Sequence, residues 1–212
     1  MTDPDNPRMA AAAAMRRLGH AMVAYETDDA LLERIAHQAA ATAEVVEAGT
    51  RRKRPVEALK RRLWEDPPDD GDRMAHFEEC VVSGRANPMG IMMHVRRDDQ
   101  SVVGSVNLGA AFEGAPRRAH GGIVAAILDD IMGYVLLVQR TPAFTGTLQV
   151  RYAAPIPVQA DLVAKAWMVG RDGRKLTITG TLSTADGTEV AHGDAVFIEI
   201  PPEWFSSSPA DS

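Results

Sequence analysis

The sequence predicts an α+β fold: a curved antiparallel sheet wrapped round one long central helix, with a helical extension ahead of it. Three observations carry this expectation. First, residues 123–138 are apolar apart from Asp129 and Asp130. That stretch is too long for one ordinary strand, and a helix apolar nearly all round is buried. Second, about six segments of strand texture separated by turn residues flank that helix. Third, residues before position 72 have helical spacing instead, and 212 residues leave room for one domain plus an extension.

Bulk composition narrows the function. A hydrophobic content of 45% supports a real core, and a net charge of −6 argues against general nucleic-acid binding. The single cysteine, Cys80, excludes an internal disulfide framework and fits a reducing compartment. Residues 123–138 are short for a membrane span and carry two acids, so no stable membrane insertion is expected. Asp3 and Asp5 ahead of an alanine run do not resemble a signal peptide. A cytoplasmic protein is the expectation.

In chain order, residues 9–26 are Ala-rich, with Leu18, Met22 and Tyr25 at helical spacing. Thr27-Asp28-Asp29 is an N-cap signal for a second helix over 30–48, ended by Gly49. Its Leu31, Leu32, Ile35, Ala39, Thr42 and Val46 form one apolar stripe, and the pair reads as a helical hairpin. Arg51-Arg52-Lys53-Arg54 follows; such a run either meets an anionic partner or is a solvated linker. A short helix over 56–64 and an acidic linker over 66–72 complete an extension of residues 1–72.

After that the texture changes to strands, over 76–82, 91–95 and 101–106. Residues 98–100 form a turn between the last two, and 109–118 a loop feeding the central helix. Three or four more strands are expected, at 145–153, 161–169, 175–184 and 189–200. Asp172-Gly173 and Asp186-Gly187 supply hairpin turns. The domain closes near residue 202, and 203–212 form a mobile tail.

The chemistry centres on the helix. His120-Gly121-Gly122 stands at its start, where backbone N–H groups lack helical partners and the dipole is positive. That end suits a developing anion. Asp129 shares a stripe with the small residues Gly122, Ala125, Ala126 and Gly133, at helical neighbour spacings. Asp130 shares its side with Ile127 and Tyr134, ordinary packing partners, so Asp129 is the candidate working group. The alternative is that Asp129 pairs with a buried donor and does no chemistry. Gly121 and Asp129 lie about 12 Å apart along one helix. For both to serve one small reacting group, the Asp must come from a second, facing copy, as in a two-fold homodimer.

These residues carry a resemblance. His120-Gly121-Gly122, Asp129, Thr145-Gly-Thr-Leu-Gln-Val-Arg-Tyr152 and Pro155-Ile-Pro157 resemble the hotdog-fold acyl-CoA thioesterases, in their phenylacetate-pathway (PaaI-like) branch. Asn87-Pro88-Met89-Gly90 is similar to an upstream element of that branch. The resemblance spans residues 75–200. It implies that Asp129 acts as general base or nucleophile, and that the glycine after His120 holds the thioester carbonyl. It leaves His120 either to donate to the thioester or to cap the helix. Asn87 lies near the acyl thioester or serves as a turn residue, and Thr145 partners the catalytic Asp or is a plain strand residue. Arg174 and Lys175 grip coenzyme A phosphates or occupy a solvated turn. No cofactor is expected beyond the coenzyme A of the substrate, and the six histidines are scattered without metal-ligand spacing.

Two function classes follow. One is a homodimeric acyl-CoA thioesterase, with a higher oligomer open. The other is a non-catalytic acyl-CoA-binding or regulatory hotdog protein, in which the N-terminal helices carry the effect.

Overall fold

A computed structural model describes residues 6–53 and 66–201. The helix expected over 56–64, Arg54 of the basic run and the tail over 203–212 lie outside the described residues.

Helix α1 runs Pro7–Ala24 and α2 runs Asp29–Glu47. Each starts on a side-chain cap: Asn6 accepts from the Arg8 N–H, and Asp28 from that of Leu31, satisfying donors a helix start leaves bare. The Asp28 cap is the one the sequence signals. The apolar stripe of α2 behaves differently from the expectation. Nothing on α2 is buried; Leu31 and Ile35 are half-covered, and Leu32, Ala39, Thr42 and Val46 are exposed. Arg52 pairs with Glu79 at 2.6 Å.

The strands are β1 (Arg73–Met74), β2 (His94–Asp98), β3 (Ser101–Asn107), β4 (Glu113–Ala115), β5 (Arg118–Ala119), β6 (Ala143–Tyr152), β7 (Asp161–Asp172), β8 (Lys175–Thr184) and β9 (Glu189–Glu199). Seven form one antiparallel sheet in the order β1-β2-β3-β7-β8-β9-β6, while β4 and β5 make a separate ribbon. Helix α3, Gly121–Val138, lies against the large sheet, so the curved sheet round a central helix is present. The expected turns at Asp172-Gly173 and Asp186-Gly187 form, with Gly173 and Gly187 in the left-handed region that favours glycine.

One expected strand is absent. Residues 76–82 form consecutive turns. The N–H groups of Cys80, Gly84 and Ala86 donate to the carbonyls of Phe77, Cys80 and Glu78. A Cβ on Gly84 would stand 2.3 Å from the Cys80 nitrogen, so the coil closes on itself and no ladder can run through it. The next strand also starts late, at His94, because the N–H groups of Ile91 and Met93 donate to Val81 and Val82 of that coil. The loop expected over 109–118 contains a 3-10 turn, Ala110–Phe112, and the β4–β5 ribbon.

Val124, Ile127, Leu128, Ile131, Met132 and Val135 of α3 are wholly buried, each contributing roughly 1.5–3 kcal/mol. The sheet accommodates them with a row lacking bulk. Ala166 on β7, Gly180 on β8 and Gly193 on β9 are directly paired. A Cβ on Gly193 would come within 2.9 Å of the Met132 Cε, so the row forms a groove for that side chain. By length and composition α3 could cross a membrane; here it fills the core of the sheet. Its least covered stripe is the small one: Gly122 is exposed, and Ala125, Ala126, Asp129 and Gly133 are half-buried.

Candidate functional site

At the start of α3, His120 is the cap. Its Nδ1 accepts from the Gly122 N–H at 3.0 Å, and its carbonyl accepts from Ile123 and Val124. An Nδ1 that accepts leaves the ring proton on Nε2, so the ring presents an N–H outward from an exposed residue. The Gly122 N–H is thus occupied. Among the described residues nothing accepts from the Gly121 N–H. Of the two glycines expected to hold an oxyanion, Gly121 keeps its donor available. Tyr152 donates its hydroxyl to the Gly121 carbonyl at 2.8 Å and ties β6 to the helix start. Sequence reasoning assigned Tyr152 no role, although it closes the quoted strand motif.

Two turns further on, Asp129 accepts a hydrogen bond from the Thr145 hydroxyl at 2.8 Å. The sequence left Thr145 either a partner of Asp129 or a plain strand residue, and it is the partner. Both line a cavity of about 210 Å³ whose wall is largely apolar, including Leu136, Leu137 and Phe197. A half-buried carboxylate with one oxygen held and an apolar cavity beside it is suited to activating a nucleophile on a small acyl group.

Asp130 departs from the expectation of an ordinary packing position. Cys80 donates its thiol to Asp130 Oδ1 at 3.2 Å, while Oδ2 is buried without a hydrogen-bond partner. Burial pushes this carboxyl up to about 6; Cys80 and Ser83 pull it back, and the charge of Asp129 adds to the rise. Beside it, Tyr134 donates to the Ser83 hydroxyl at 2.9 Å and accepts from the His76 N–H at 2.9 Å. Burial and then the Asp130 charge push the Cys80 thiol up, which makes it a poor nucleophile. The thiol serves as a donor within the packed coil.

Asn87 does not extend its amide toward this cavity. Its Nδ2 donates to the Glu79 carbonyl at 3.0 Å, and its Oδ1 accepts from the Met89 N–H at 2.8 Å. Both ends of the amide are engaged by the backbone around the turn. Arg174 donates through Nε and Nη2 to the Glu199 carbonyl at 3.1 and 2.8 Å. Lys175 is exposed. Pairing of Lys175 with Ile198, and of Ile198 with Phe144, puts Lys175 at the same end of the sheet as Thr145. Among the described residues no group of three His, Cys, Asp or Glu is arranged to hold a metal ion.

Known proteins share this fold. Residues 118–191 match the model of the thioesterase superfamily. Acyl-coenzyme A thioesterase THEM4 of Mus musculus is 31% identical over 96 residues, 45% of this chain and 41% of that protein. The Rattus norvegicus protein of the same name is 28% identical over 112 residues, 52% and 48% of the two chains. The chain therefore spans less than half the length of the curated relatives it matches. A crystal structure of a thioesterase superfamily protein superposes with a TM-score of 0.78 at 25% identity, covering 93% of both chains. Such coverage takes in the N-terminal helices as well as the sheet. The Escherichia coli PaaI protein from the phenylacetic acid degradation operon shares the fold, with a TM-score of 0.50 at 15% identity over 52% of this chain and 81% of that one.

Proposed function

Because the chain carries a hotdog domain of the thioesterase superfamily, we propose that it hydrolyses acyl-CoA thioesters to free acid and coenzyme A. The observation that carries the reading is the Thr145-held Asp129 at the edge of an apolar cavity. Water attacks the thioester carbonyl as Asp129 takes its proton, or Asp129 attacks directly and water releases the acyl-enzyme. In either route the carbonyl oxygen becomes negative, the C–S bond breaks, and the thiolate leaves to be protonated. The Gly121 N–H stabilises that oxygen; losing one such donor costs on the order of 10²–10³ in rate. The Nε2–H of His120 is a second donor beside it.

The eight-residue separation, about 12 Å of helix, assigns Gly121 and Asp129 of one site to two facing chains. Two features favour this homodimer: the half-open small stripe of α3, and the ten-residue edge strand β6, on which no residue is fully buried. An exposed edge of that length invites pairing with a second copy. Lys175, with an ammonium that bonds to no described residue, is the better candidate for coenzyme A phosphates; Arg174 is held by Glu199. The reading needs no cofactor beyond the substrate's own coenzyme A and assigns the reaction to the cytoplasm.

The test is free-thiol release from short, medium, long and aromatic acyl-CoAs, on wild type and Asp129→Asn together. Release that falls about 10³-fold in the variant supports the mechanism and names the acyl class. Binding of an acyl-CoA without release by wild type overturns it in favour of a binding protein.

A further inference from the structure

Helix α1 lies outside the segment that matches the family model, yet it touches the loop leading to the oxyanion donor. Its docking is unusual. A helix held by packing turns its apolar face inward. Here Met15, Leu18, Met22 and Val23 are exposed, while Arg16 and His20, on one stripe with the buried Ala12, are half-covered. The inward groups bind backbone. Arg16 donates from Nη1 to the carbonyls of Arg85 and Asn87 at 3.1 and 2.5 Å. His20 Nδ1 accepts from the Ala111 N–H at 3.2 Å.

From His20 a short path leads to the site. Its ring meets Phe112 edge-on, with centroids 5.1 Å apart. The Phe112 carbonyl accepts from the His120 N–H at 2.9 Å, and His120 caps Gly122 next to the Gly121 donor. Two glycines mark how tightly the loop is held between the two histidines. A Cβ on Gly109 would sit 2.4 Å from His20 Nδ1, and one on Gly114 would sit 2.7 Å from the His120 Cα.

Resting on the thioesterase reading, we propose that His20 is a positioning residue. By accepting the Ala111 N–H it sets the 109–114 loop, and through Phe112 and His120 it aims the Gly121 N–H at the thioester oxygen. Burial and the neighbouring Arg16 charge lower the affinity of His20 for a proton, which keeps Nδ1 an acceptor. Small errors in aim are costly, since a 1 Å misplacement reaches about 10²-fold in rate.

Two variants separate positioning from support. His20→Phe keeps a ring against Phe112 and removes the acceptor; His20→Asn keeps an acceptor near the same position and removes the ring. The proposal expects kcat about tenfold lower in His20→Phe, with KM within about twofold, and kcat within about threefold of wild type in His20→Asn. Melting temperatures of both are measured alongside. Equal kcat per folded enzyme in the two variants overturns the proposal. A second readout is independent of turnover: amide hydrogen exchange at His120 and Gly122. Faster exchange there in His20→Phe, restored in His20→Asn, supports the coupling even if no thioester is cleaved. A change confined to residues 109–112 sinks it. A protein without thiol release thus fails the thioesterase reading while still answering whether His20 sets the loop.

Discussion

Asp129 and Asp130 are adjacent on one helix, yet they live in different chemistry. Asp129 lies on the open side of α3, half-buried, with Thr145 Oγ1 2.8 Å away and an apolar cavity in front of it. Asp130 borders the same cavity from the side closed by the coil of residues 76–86, with one oxygen on the Cys80 thiol and the other buried and unpaired. A step of about 100° round the helix separates the proposed base or nucleophile from a carboxyl that burial drives toward its protonated form. Helical spacing already sets the two apart in the sequence; the distant residues that pack against Asp130 do not show there.

Substitutions can break or sharpen this contrast. The largest effect is expected at Asp129. Asp129→Asn removes the base or nucleophile and lowers thiol release about 10³-fold, with the fold intact by circular dichroism. A variant that retained turnover would erase the functional half of the contrast.

Next comes Asp130, through stability. Its folded value, about 6, lies above the ordinary 3.8, so the protonated form is favoured in the folded state. The stabilisation is fully present below about pH 3.8 and is lost as pH rises through about 6, at most about 3 kcal/mol. Asp130→Asn cannot ionise, so its melting temperature should lack this decline. The gap over wild type should grow between pH 4 and 8 to as much as about 5–10 °C. Parallel curves for the two proteins would show that the closed side does not strain the acid.

Thr145→Val is expected to be smaller, lowering kcat about tenfold by freeing Asp129 from a hydrogen bond to a charged group. Thr145→Ser should recover most of it, and equal losses in the two would deny the hydroxyl a role. The smallest effect belongs to Cys80→Ala, which removes a donor from the closed side. It should cost about 1 kcal/mol by chemical denaturation and leave turnover within about twofold; a large loss of turnover would mean that the two sides are coupled.

What was legible follows the same division. The sheet strands after α3 could be placed within a few residues because Asp172-Gly173 and Asp186-Gly187 are local signals with a backbone cause. The small, half-open stripe of α3 was legible because Gly122, Ala125, Asp129 and Gly133 lie on one helix at fixed spacing. The closed side was not. Cys80 lies 50 residues before Asp130, and Cys80-Val81-Val82 has the texture of a strand although the coil round Gly84 overrides it. His20 was invisible for the same reason: its partner Ala111 is 91 residues away, and an isolated histidine on an Ala-rich helix carries no local mark.

That last separation has a meaning in time. During synthesis α1 leaves the ribosome well before the loop it grips. At about 5–20 residues per second, the 91 residues between His20 and Ala111 correspond to about 5–18 s. Arg16 waits 69 residues for the Arg85 carbonyl and 71 for that of Asn87, His20 waits the whole interval for the Ala111 amide, and Met15, Met22 and Val23 stay exposed even in the folded chain. This helix, made well before the loop, is therefore among the later pieces to dock, and the loop proposed to aim the Gly121 donor reaches its final shape only after it does.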